Sequence, residues 1–140
     1  MKTEDEIVSE FIKAHKIAVL STVTHDFLPQ SAVVGISAGK NFELFFGTFR
    51  SSRKYQNLQK NPRVTFVIGW DSGKTVQYEG EAKELTGAAV EEFEKAHLKD
   101  MSTAAKHVSK EEAVFFKVTP RWVRYADVSK DPWDEIELRM

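Results

Sequence analysis

The 140-residue sequence contains no cysteine. That excludes disulfides, thiolate metal sites and a cysteine nucleophile, and nothing in it calls for an oxidising compartment. It also lacks a surplus of charge of either sign. Lys and Arg total 20 against 21 Asp and Glu, a net charge of −1, which is not the basic excess of a domain built around nucleic acid. No apolar run approaches the roughly 18 residues a membrane helix needs. The first residues, MKTEDEIVSEFIKAH, are polar and acidic where a secretory leader would be basic and then apolar. The expectation is a cytoplasmic chain with a single domain over residues 1–140, engaging neither membrane nor nucleic acid.

Recognisable catalytic motifs are missing as well. The stretch from Gly69 through Gly73 to Thr75, GWDSGKT, looks like a phosphate loop but has three residues between its glycines and a strand after its lysine. A P-loop needs four residues and then a helix, so this is a β-turn. The histidines His15, His25, His97 and His107 include no pair at i, i+3 or i+4, and they propose no metal site. Glu91, Glu92 and Glu94 read as the wet face of a helix. There is no G-x-S-x-G nucleophile turn and no G-x-G-x-x-G.

What the chain does have is a regular alternation of short β-type segments with polar turns. Apolar residues at helical spacing (Ile7, Val8, Phe11, Ile12) predict a first helix over 4–14, capped by Thr3. Strands are expected at 17–23, from Pro29 through QSAVVGIS, at 42–48, at 63–70, at 75–85, and at 113–128 with a bend at Pro120. A helix over 51–60 is stopped by Asn61-Pro62. Val90, Phe93 and Leu98 mark a surface helix over 88–98, and 99–110 is ambiguous. Six strands on short links, with few helices, indicate a mostly β, α+β chain folded as a small antiparallel barrel with helices outside or capping it.

The most informative stretch is FFGTFRSSRKYQNLQKNPRV, residues 45–64. A strand hands over to a helix exactly where Arg50, Arg53 and Lys54 stand among Thr48, Ser51 and Ser52. Cations have the wrong sign for a helix N-terminus, whose free N–H groups and dipole favour an anion. A bound phosphate would reverse the mismatch, gripped by the Arg53 fork and the Lys54 charge with Thr48 and Ser52 as hydroxyl donors. A capped surface helix with solvated charges is the alternative.

In order, a P-x-S-x-V-V strand, an L-F-F-G-T strand, S-R-K, a helix, an N-P-R-V strand and a G-K-T-V-x-x-E-G strand resemble the pyridoxamine-5′-phosphate-oxidase-like family of FMN-binding split barrels. The likeness is to its short, general-stress-protein-like members. It runs from about Lys16 to Asp127 and is most specific at Thr48–Lys54 and Asn61–Val64. The resemblance implies a six-stranded antiparallel split β-barrel with flanking helices, and a homodimer holding FMN at the subunit interface. By the same resemblance Arg53 and Lys54 would bind the FMN phosphate, with Ser52 and Thr48 as donors and Arg50 beside them. The backbone around Gln30, Ser31, Val33 and Val34 would border the flavin ring, with both valines expected in the barrel core in any case. Thr75 would reach the flavin, and Trp122 and Trp133 would cover it from the partner chain.

Two departures matter. Where fuller pyridoxamine phosphate oxidases carry an arginine and a lysine on the second strand, this chain has Ala32 and Ser37. It also lacks their C-terminal arginine-and-histidine segment, which argues against pyridoxamine phosphate oxidation itself. The function implied is an FMN-dependent oxidoreductase passing hydride or electrons from a reduced nicotinamide-type donor to a small molecule. The alternatives are a non-catalytic flavin-binding or stress-related protein, and a split barrel using F420 or haem.

Overall fold

The computed structural model describes residues 1–97, 99 and 111–140. Leu98 and His107 lie outside them. Helix α1, Glu4–Lys13, starts where expected. Thr3 Oγ1 accepts the Glu6 N–H at 3.1 Å, and the Glu6 carboxylate accepts the Thr3 N–H at 3.3 Å. That reciprocal pair satisfies two donors a helix start otherwise leaves open. Its apolar stripe sends Val8 and Ile12 into the core.

Strands β1 (Ile17–Val23) and β2 (Pro29–Ala38) form an antiparallel hairpin paired from Ile17↔Gly35 to Val23↔Pro29. Strand β3 (Leu44–Phe49) returns along β2 after a tight turn in which Asn41 and Phe42 take positive φ. The Tyr78 hydroxyl donates to the Phe42 carbonyl at 2.7 Å and so ties that turn to the core, while burial pushes the Tyr78 phenol pKa well up. Helix α2 (Arg53–Lys60) follows, then β4 (Arg63–Ile68), β5 (Lys74–Glu84), helix α3 (Ala88–Ala96) and the long β6 (Ala113–Asp127).

The strand order β3-β2-β1-β4-β5-β6 closes on itself through antiparallel β3–β6 pairing, giving a six-stranded barrel. Beyond the six expected strands, Asp134–Arg139 forms β7 on the free edge of β6, outside the barrel. The bend expected at Pro120 is a β-bulge. Glu79 pairs with Trp122 and Gly80 with Pro120, leaving Arg121 as the extra residue. Glycine is needed opposite it, because a Cβ on Gly80 would stand 2.6 Å from the Thr119 carbonyl oxygen.

The barrel interior is aromatic. Phe46 stacks on Phe116 with centroids 5.1 Å apart and meets Phe66 edge-on at 6.0 Å, and Phe66 meets Tyr78 edge-on at 5.6 Å. Helix α3 covers the outside instead, burying Phe93 against Phe115 and Phe45. Helix α2 packs against β1 and β3 and lowers Leu58 into the main core. Among the described residues no helix is long and apolar enough to cross a membrane.

Candidate functional site

The junction between β3 and α2 holds a hydroxyl pair followed in the chain by two cations. Thr48, buried near the end of β3, places its Oγ1 2.9 Å from the Oγ of Ser52. Ser52 is the N-cap of α2 and accepts the Tyr55 N–H at 3.2 Å. Arg53 and Lys54 fill the first turn, which holds no acidic residue. Among the described residues neither makes an ion pair or a side-chain hydrogen bond. Partial burial and the neighbouring Arg53 guanidinium both lower the Lys54 pKa from the ordinary lysine value. Two adjacent cations at the positive end of a helix, one of them partly desolvated, fit a dianionic phosphate. The same residues would hold the phosphate of an FMN.

Arg50 lies beside this junction but is engaged elsewhere. Its guanidinium donates to the Glu111 carbonyl at 3.0 Å and to the Tyr55 hydroxyl at 3.2 Å, and stands 3.9 Å from the Glu84 carboxylate.

The four residues named on β2 divide between two faces, because successive strand side chains point in opposite directions. Val34 is in the core at 6% exposure, whereas Val33, expected there too, points outward at 62%. Two adjacent positions on one strand cannot both face inward, so the expectation for Val33 is corrected. Ser31 also faces outward, its Oγ 2.8 Å from that of Ser21 on β1. Gln30 turns the other way, towards α2, where Asn57 Nδ2 donates to its Oε1 at 3.0 Å. Gln30 and Arg53 share a groove of about 300 Å³ between α2 and the β1–β2 turn, with Thr24, Asp26, Asn57 and Lys60.

Thr75 does not join this group within one chain. In the closed strand order β5 lies opposite β2, with two strands between them on either side. Along the strands, Gln30 is level with Thr22, and Thr75 with the Ile17 end of β1, roughly five residues or 17 Å away at ordinary strand rise. Trp122 sits at the far end of an outward row, Ser31–Ser21–Thr65–Glu79–Trp122, that crosses five strands. A pocket of about 640 Å³ opens on that row, walled by Arg63 and by Arg121, which is paired to Glu81. Trp133 is exposed in the β6–β7 loop.

Sequence reasoning missed Asn57, Gln56 and Lys60, which share the groove face of α2 with Arg53. The one available signal was Asn57 itself, a poor helix former in a helix interior. Among the described residues no group of three or more His, Asp or Glu is placed to hold a metal.

A small closed antiparallel barrel, with a helix on it whose first turn carries two cations and no acidic residue next to a hydroxyl pair, defines a split-barrel protein with an anion-receptive junction. The chain belongs to the pyridoxamine 5′-phosphate oxidase family, whose model matches residues 4–127. Among solved structures it is similar to general stress protein 26 of Bacillus anthracis (23% identity, 95% of each chain covered, TM-score 0.71). It is similar to a heme binding protein of Mycobacterium smegmatis (16% identity, TM-score 0.81), covering 99% of this chain and 59% of that one. It is also similar to a pyridoxamine 5′-phosphate oxidase-related, FMN binding protein of Nostoc punctiforme (10% identity, TM-score 0.65), over 89% of this chain and 88% of that one. At these identities the likeness shows the fold. No curated protein matches the chain.

Proposed function

We propose that the chain is an FMN-binding oxidoreductase that works as a cytoplasmic homodimer. The observation that carries this reading is the junction: Arg53 and Lys54 with no acidic residue in their turn, at a helix N-terminus that favours an anion, next in the chain to the Thr48–Ser52 hydroxyl pair. Arg53 and Lys54 hold the phosphate by charge, and Thr48 and Ser52 fix its orientation. Membership of the family and similarity to an FMN binding protein support the choice of ligand. The bound flavin would supply hydride and electron transfer between a reduced nicotinamide-type donor and a small molecule, which explains why the chain needs no acid–base pair of its own.

The dimer reading rests on the outer face of β2, β1 and β4. Val33, Val19 and Val67 are cross-strand neighbours there, and Val33, Val67 and nearby Ile17 are exposed. An apolar stripe bordered on one side by the polar row through Ser31, Ser21 and Thr65 suits burial against a second copy. A second copy also accounts for Thr75 and Trp122 as site residues, since the barrel keeps them away from the junction of their own chain.

The test is an absorption spectrum of the purified protein before and after addition of FMN and passage down a desalting column. Retained absorbance near 450 nm, roughly one flavin per chain, is the expected result. A haem band in place of it, or retention of F420 but not FMN, would reassign the cofactor, and a colourless protein would refute the reading. Anaerobic reduction by a nicotinamide donor then separates an oxidoreductase from a non-catalytic flavin carrier.

A further inference from the structure

Asn57 is 8% exposed in the middle of α2, yet it is not merely a tolerated polar residue. Its Nδ2 donates twice, to Thr22 Oγ1 at 2.9 Å and to Gln30 Oε1 at 3.0 Å. Thr22 is itself 1% exposed, so this amide meets a buried hydroxyl where the helix packs on the barrel. In this orientation both amide hydrogens of the side chain are paired within the protein. Both donors being committed fixes the polarity of Gln30 in turn. Its Oε1 is the end held inward, and its Nε2, which has no partner among the described residues, is the end left for the groove it shares with Arg53.

We infer that Asn57 is a positioning residue of the cofactor site: it orients Gln30 so that the Gln30 amide presents N–H donors, selecting an acceptor-bearing edge of the ligand. The inference rests on the flavin reading above. The groove wall is consistent with it. Arg53 and Lys60 are donors, and Asp26, the one carboxylate there, is already bonded to the Thr24 hydroxyl, which holds its pKa below the usual range. The acceptor edge in question is a ring carbonyl, ring nitrogen or ribityl oxygen, groups common to FMN and riboflavin. Gln30 and Asn57 therefore act on both ligands alike, whereas Arg53 acts on the phosphate of FMN alone.

The experiment is a set of fluorescence titrations of FMN and riboflavin against the full chain and its variants. Gln30→Met removes the donor without adding charge and should weaken both ligands by about tenfold, the value of one ordinary hydrogen bond. Gln30→Glu still accepts from Asn57 but turns an acceptor to the groove, and should weaken both more than Gln30→Met does. Asn57→Leu should match Gln30→Met, and adding it to Gln30→Met should cost no further affinity, because its effect runs through Gln30. Should Asn57→Leu fail to fold, Asn57→Asp takes its place. It turns an acceptor to Gln30, whose carbonyl is then the end left for the groove. It should weaken both flavins as Gln30→Glu does, whereas unchanged binding would overturn the inference. Tight riboflavin and FMN binding by Gln30→Glu would overturn the inference and leave the flavin reading standing. So would losses from Asn57→Leu and Gln30→Met that simply multiply. Failure of the unmodified chain to bind either flavin would overturn both.

Discussion

Replacing Arg53 and Lys54 together by alanine isolates the phosphate end of the site. Each cation can make a charge-assisted hydrogen bond worth roughly 1.5–3 kcal/mol. Arg53 is exposed and Lys54 only half-buried, so the lower end applies, about 3 kcal/mol for the pair. That corresponds to a loss on the order of a hundredfold in the Kd for FMN. Riboflavin has no phosphate, and its Kd should stay within about twofold. The unliganded variant should be no less stable than the parent, because in the free protein the two cations stand side by side with no acidic residue in their turn. Fluorescence-quenching titrations with both ligands, and urea melts of the unliganded chains, read all three quantities. An equal loss for riboflavin and FMN, or an unchanged FMN affinity, would refute the phosphate assignment. A destabilised unliganded variant would mean that the two side chains support the helix rather than a ligand.

Other consequences can be checked independently. The folded Lys54 pKa lies below 10.5, so between the two values the unfolded chain binds more protons, and the unliganded protein should gain stability as pH rises through that window. FMN favours the charged form, so its affinity should fall over the same alkaline range, and a flat pH profile would remove Lys54 from the site. Val33→Glu combined with Val67→Glu puts like charges on the exposed stripe, and sedimentation should show monomers at concentrations where the parent is dimeric. Phe46→Ala removes a fully buried ring stacked on Phe116 and should cost about 3–5 kcal/mol in denaturant melts. Gly80→Ala forces a methyl against the Thr119 carbonyl at the bulge and should cost about 1–3 kcal/mol, visible as a lowered Tm.

Much of the local structure is legible because it depends on short-range rules. Strand β1 runs over the expected residues 17–23, since IAVLSTV is β-branched and bounded by polar turns. Thr3 and Ser52 cap their helices because their hydroxyls can satisfy open N–H groups. Strand β7 escapes that kind of reading although DEIELR alternates correctly. Four of its six residues are charged, which a lone strand would not tolerate but an edge strand does. The Pro120 region shows the same limit. A proline flags an interruption, but only pairing with β5 decides that it becomes a bulge at Arg121.

By itself the sequence determined the cationic, hydroxyl-rich strand-to-helix junction, the antiparallel alternation of short strands and the exclusion of thiol chemistry, because each follows from residue identity over a few positions. Closure of β3 onto β6 was decided only by the tertiary structure, since it joins residues some seventy positions apart in the chain. Tertiary structure also sent Val33 outward and Val34 inward, committed Arg50 to Tyr55 and Glu84, and brought Asn57 from α2 onto Thr22 and Gln30. Those outcomes depend on which surfaces meet. A side chain's partners are fixed by packing, and packing is a property of the whole barrel rather than of any segment in it.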